Sequence, residues 1–222
     1  GAVTIAIEGG TGDIQIAGSD LDVISTTGSI IIGDSNSGAI EVGGAVSTGT
    51  IALTLISSGG VTLSNTISSG ALTITNAGTL SIAAGGDLTL SDAFTQDGAG
   101  SVSTAGDITT TSDNISFASA VTLTSAVALD SDGGNITFSS TVDGGQTLAL
   151  DAAAGAIAFN GVVGANPLTS LVTTGTTGAI TISQNIETTG VQTYTGPVTL
   201  SGSPTLTTSN NLVTFSGDVS GA

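Results

Sequence analysis

The side chains able to do chemistry in this sequence carry only oxygen. They are 14 Asp, 3 Glu, one Tyr and the hydroxyls of many Ser and Thr; Lys, Arg, His, Cys, Met and Trp are absent. Attack by a Ser or Thr hydroxyl needs a base to take its proton, and neither His nor Lys is there to take it. The Ser and Thr therefore read as solvated strand and turn positions. Two carboxylates are enough for glycoside hydrolysis, and the close pairs are Asp20 with Asp22 and Asp130 with Asp132. Residues two apart point the same way only within one strand, and Asp130-Ser-Asp132-Gly-Gly reads as a turn. No catalytic residue is assigned, and an enzyme is not expected.

Metal binding is the other chemistry open to carboxylates. Asp130-Ser-Asp132-Gly-Gly-Asn135 has the oxygen-rich composition of a calcium loop. It reads first as a polar turn between Leu129 and Ile136. No cofactor is required, and Asp130, Asp132 and Asn135 form the weak calcium candidate. The aligned segment 77 residues later, Thr207-Thr-Ser-Asn-Asn211, lacks both carboxylates. Gly9 to Ala17, GGTGDIQIA, resembles a calcium-binding nonapeptide, but Asp13 stands one residue early and the motif does not recur.

The elements that must position these residues are short apolar-x-apolar triplets. Examples are Val3-Thr-Ile5, Ile14-Gln-Ile16, Ile40-Glu-Val42, Val61-Thr-Leu63, Leu72-Thr-Ile74 and Leu88-Thr-Leu90. Period-two alternation predicts strands with one face in and one out. Gly, Ser, Asn and Asp between them supply turns. From Asn114 to Leu171 the triplets fall on a 21-residue repeat. Its columns are Ile115, Ile136, Ile157; Phe117, Phe138, Phe159; Val121, Val142, Val163; and Leu129, Leu150, Leu171. Like residues at a fixed offset are the sign of stacked repeats, each too small to bury its apolar side alone. The reading is all-β: a right-handed parallel β-helix of about ten coils and essentially no helix, roughly 50 Å long at one strand spacing per coil.

The Phe column is expected to stack inside rather than form a ligand platform. Asn114 and Asn135 share a column and suggest a short side-chain ladder. Ile180, Ile182 and Ile186 repeat Ile157, Phe159 and Val163 at an offset of 23. Ile32, Leu53 and Ile74 are again 21 apart. The segment from Val121 aligns with that from Val198 at an offset of 77, which is no multiple of 21. That leaves Tyr194 matching either Phe117 or Leu171. Thr-x-Thr pairs at Thr73/Thr75 and Thr205/Thr207 suggest an ice-binding surface but do not recur at coil spacing. The chain reads as one solenoid over 1–222, looser in 1–92 and clearer in 93–222, and as a piece of something longer.

A formal charge of −17 with no basic residue argues against a nucleic-acid partner, which needs positive charge. No run approaches the about 20 apolar residues of a membrane helix. Without cysteine there is no disulfide framework. An uncapped coil would expose unpaired strand edges, so the expected partners are the chain itself or adjoining β-helix segments end to end.

ITFSSTVDGGQTLAL, IAFNGVVGANPLTSL, TTGVQTYTGPVTL and VTFSGDVSG resemble the shaft repeats of giant bacterial exoproteins similar to filamentous haemagglutinin. The resemblance covers about Ala93 to Ala222; earlier residues share only the style, as in Ala84-Gly-Gly-Asp-Leu-Thr-Leu90. It implies a right-handed β-helix rod exported from a Gram-negative cell by two-partner secretion. It further implies an extracellular or cell-surface adhesin or fibre that meets host glycans or proteins. The family's secretion domain has no counterpart here, since Asn166-Pro167 lies within a repeat. The expected function is thus a non-catalytic structural segment of a bacterial fibre or adhesin stalk. The alternatives are a carbohydrate-binding or carbohydrate-cleaving β-helix and a self-assembling filament subunit.

Overall fold

The triplets become strands, each with two residues turned in and one turned out. The computed structural model describes residues 2–221, with the side chain of Asp22 outside that description. Within one coil, Ile115–Phe117 lies in a first sheet, Val121–Leu123 in a second and Val127–Asp130 in a third; Ile136–Phe138 then returns to the first. Repetition of this path builds sheets I, II and III, with ten, eleven and nine strands. The strand ladders between them are parallel, as in Ile115↔Ile136↔Ile157 and Val121↔Val142↔Val163. The result is the expected all-β solenoid, of about nine turns. The α-helix content of the described residues is the five-residue segment Gly18–Asp22.

The interior is a stack of like side chains. Phe117, Phe138 and Phe159 are buried, with ring centroids 5.4 and 5.6 Å apart and planes within 3° of parallel. The three rings thus repeat from coil to coil in one orientation. Phe94 joins the stack from the neighbouring column, tilted 53° on Phe117 at 5.3 Å. Polar residues also enter the interior, at the corners, where turn carbonyls face inward and need donors. The hydroxyls of Thr48, Thr110 and Ser131 each donate to the carbonyl three residues on, at 2.6–2.7 Å. Where sheet I turns into sheet II, buried Gln96 donates Nε2 to Asn76 Oδ1 (2.9 Å) and Gly98 O (2.8 Å). Its Oε1 accepts from the N–H groups of Ala118 and Ser119. Among the described residues, no buried side-chain polar atom lacks a partner.

Coil length varies, and this corrects two of the columns. Leu129 pairs with Leu150, but Leu150 then pairs with Thr173, while Leu171 pairs with Leu148. The cause is Val163–Leu168, whose register jumps between Val163↔Ile186 and Leu168↔Thr188. The extra residues bulge outward there, and Gly164 takes φ +80° with no room for a Cβ beside Glu187 O. In the amino-terminal half, Ile32 pairs with Leu55, which pairs with Ile74. Leu53 belongs to the Ile30 and Leu72 column instead. One coil is two residues longer than 21 and the next two shorter, so a false 21-residue column appears.

The offset of 77 is a shift of face. Val121–Leu123 lies in sheet II, whereas Val198–Leu200 lies in sheet I. Tyr194 falls in sheet III, the sheet of Leu171, with Thr193 opposite Val172.

At the amino-terminal end Ile5–Ile7 lies between Ile14–Ile16 and Ile40–Val42 in sheet II. All three of its residues are buried, including the outward Ala6, because the return loop 9–13 crosses over it. A Cβ on Gly12 would lie 2.8 Å from Ala6 N, so the loop needs glycine to pass that closely. Leu21 of the helix reaches the core.

Candidate functional site

The turn picked out for calcium is built by the corner between sheets III and I. Asp130 ends its strand and its Oδ1 accepts the Asp132 N–H at 3.0 Å. Ser131 between them points inward and is fully buried. Asp132 adopts a left-handed backbone, φ 44°. Asn135 turns toward the next coil, its Oδ1 accepting from the Ala156 N–H at 2.8 Å. The turn one coil on, Asp151-Ala-Ala153, has the same form: Asp151 Oδ1 accepts the Ala153 N–H at 2.9 Å, and Ala153 has φ 43°. The conformation therefore forms without a second carboxylate. Asp130 and Asp151 stand on adjacent rungs of sheet III. Among the described residues no group of three or more His, Cys, Asp or Glu side chains could hold a metal ion.

The other singled-out carboxylates act on the backbone. Asp20 Oδ2 accepts the Ala17 N–H at 3.0 Å and closes the start of the short helix; the side chain of Asp22 lies outside the described residues. Asp13 Oδ2 accepts both the N–H and the hydroxyl of Thr4, at 3.0 and 2.9 Å. Glu41 Oε2 accepts the same two groups of Thr11, at 2.9 and 3.0 Å. These backbone and hydroxyl donors hold both carboxyls below their ordinary values, as those of Asn36 and Ser37 do for Asp34. The segment GGTGD thus serves as a strap tied down at Thr4 and Glu41.

Side-chain ladders do exist, in a form the sequence only half suggested. Asn114 Oδ1 accepts the Asn135 N–H at 2.8 Å, and Asn135 passes the pattern to Ala156. Asp87 and Asp107 do the same on sheet III, accepting from Asp107 N–H and Ala128 N–H. In each case an oxygen at a strand entry takes the next coil's N–H. A spacing of 20 or 21 between an Asp or Asn and the recipient was the signal for it.

Among the described residues no aromatic platform flanks the solenoid. Phe94, Phe117, Phe138, Phe159 and Tyr194 are buried and Phe215 is half-buried against the core. Burial pushes the Tyr194 phenol above its ordinary range; its hydroxyl donates to Gln192 Oε1 at 3.0 Å. A shallow depression of about 280 Å³ follows the corner between sheets I and II, past Ser57, Thr75, Asn76 and Asp97. Another, of about 450 Å³, lies between the loops Ser183–Asn185 and Ser201–Pro204. Neither gathers a nucleophile with a base.

The outward residues of sheet I form an unbroken surface of ten rungs. One column runs Ile31, Thr54, Thr73, Thr95, Ser116, Thr137, Ala158, Thr181, Thr199, Ser220. Single threonines recur at coil spacing in this column, whereas the Thr73/Thr75 pair does not: the next coil places Thr95 and Asp97 there. The recurrence was hidden because the coils of sheet I differ in length. No family model, no curated protein and no solved structure matches the chain.

Proposed function

We propose that the chain is a non-catalytic structural segment of an extracellular bacterial fibre or adhesin stalk. The observation that carries this reading is the set of three parallel ladders running through about nine turns around one apolar core. Such a body resists bending and local opening, because each coil is held by both neighbours. The absence of His, Lys, Arg and Cys from the sequence supports a mechanical role over catalysis. The resemblance to filamentous haemagglutinin shaft repeats supports a cell surface, most simply that of a Gram-negative bacterium. Imaging the native particle tests the reading: a long, uniform filament is expected, and a discrete globular complex would overturn it. Degradation of any polysaccharide in a panel, lost on Asp130→Asn, would assign the carbohydrate-cleaving alternative instead.

End-to-end contact with adjoining β-helix coils is a second reading, favoured by where apolar side chains are exposed. Val3, Ile14, Val23, Ile24 and Ile31 are exposed near one end, and Leu212 and Val219 near the other. The long sides between them carry mostly Ser, Thr, Ala and carboxylates.

A further inference from the structure

We propose that two copies of this chain pair sideways through the outer face of sheet I. The proposal rests on the observed fold and stands whether or not the stalk reading does. Its first ground is charge. Two bodies that each carry 17 carboxylates and no cation repel on any charged side. Sheet II carries Glu41, Asp143 and Glu187 on its outer column, and sheet III carries Asp130 and Asp151. The ten-residue outer column of sheet I carries none. One flanking column runs Ala93, Asn114, Asn135, Ala156, Ala179, and the carboxylates at or next to the borders of the face are Asp92, Asp97, Asp113 and Asp218. Asp97 is turned onto the Thr75 hydroxyl at 2.6 Å.

The second ground is shape and area. The rings beneath the three central rungs of this face are parallel to within 3° from coil to coil, so the packing under it repeats there by near translation. Untwisted sheets of small side chains pack closely face to face, as in silk. Ten rungs at about 4.8 Å and a width of three to five residues at about 3.3 Å give roughly 500–800 Å² per copy. A stable interface of standard size takes about 800 Å² from each partner. A two-fold axis between Ser116 and Thr137, the middle rungs, would let the whole face cover itself. Salt sets the balance: at 0.01 M the screening length is about 30 Å and the carboxylates of the two copies interact, whereas at 1 M it is about 3 Å.

Sedimentation at 0.01 M and 1 M NaCl tests this with the intact chain. The expected result is monomer at low salt and dimer at high salt. Thr95→Asp with Thr137→Asp should weaken the dimer on the order of a hundredfold by burying like charges. Ser68→Asp with Thr109→Asp, on exposed rungs of sheet III, adds the same charge and should leave it intact. Since the chain has no cysteine, Thr137→Cys offers a readout without added charge: at high salt a short bis-maleimide should link it into a dimer faster than it links Thr109→Cys. A monomer at both salt concentrations, or equal loss from both Asp pairs, would overturn the proposal. So would a monomer that slows ice growth in a Thr137-dependent way, which would assign the face to ordered water.

Discussion

Replacing Phe138 with Ala removes the middle ring of the parallel stack. The side chain is 1% exposed and lies between Phe117 and Phe159 at 5.4 and 5.6 Å. Loss of a fully buried aromatic, with the cavity it leaves, costs about 3–5 kcal/mol. Two ring pairs contribute about 0.5–1.5 kcal/mol each to that figure. Phe159→Ala breaks one such pair, because its next neighbour in the column is Ile182. The two variants should therefore differ by about one ring pair, with Phe138→Ala the weaker protein. A double-mutant cycle with Phe138→Leu and Phe159→Leu should return a coupling of about 0.5–1.5 kcal/mol. Urea unfolding followed by far-UV circular dichroism measures all of these. The single Tyr at 194 lies in another sheet and gives a second, local probe. In a one-dimensional stack a central cavity also weakens coupling between halves. The Tyr194 signal is then expected to melt apart from the bulk signal in Phe138→Ala alone. A midpoint unchanged within error, or coincident costs for Leu and Ala, would refute an internal stack.

Gln96→Ala leaves the Ser119 N–H and the Gly98 carbonyl without their buried partner, and should cost about 1–3 kcal/mol in the same denaturation assay; Gln96→Leu, which fills the space, should recover less than half of it. Acid should loosen the amino-terminal strap. Asp13 and Glu41 have lowered folded-state values, so their stabilisation is full above the ordinary carboxyl values of about 4 and is lost as pH falls through them toward the folded values. The protection factors of the Thr4 and Thr11 amides, taken against intrinsic exchange at each pH, should fall over that window while those of the central coils hold; a uniform change would refute it. Raising NaCl from 0.01 to 1 M should raise the melting temperature by screening 17 uncompensated carboxylates. Calcium should raise it further at matched ionic strength, and superimposable calcium and sodium curves would leave screening alone.

The strands and the central columns were legible because inward residues obey one rule, apolar at every second position. The Phe column and the Ile column at 115, 136 and 157 follow from it directly. What the sequence concealed lies at the corners. A corner can absorb two residues, as at Gly164, without disturbing the core, so spacing alone misassigned Leu171 and Leu53. Gln96 and Asn76 carry no sequence signal of burial, because nothing local shows that turn carbonyls face inward there. Ile14-Gln-Ile16 reads as a half-buried strand, yet Ile14 is 49% exposed, since its strand ends the sheet. For the candidate site, composition showed that carboxylates were the available groups. Their use as acceptors for the next coil's N–H required the registers.

The shift of face between Val121 and Val198 has a consequence for how such a gene can grow. The same run of residues packs correctly in sheet II and, 77 residues later, in sheet I. Each triplet asks only that its outer two residues point inward, and all three faces meet that demand. Replication slippage that adds or deletes about seven codons, a third of a coil, would therefore move every later triplet to another face and still leave a closed core. Length is then free to drift in small steps under little selective penalty. The outer columns are reshuffled at each step, so what a face presents to its surroundings changes with every such insertion while the core does not.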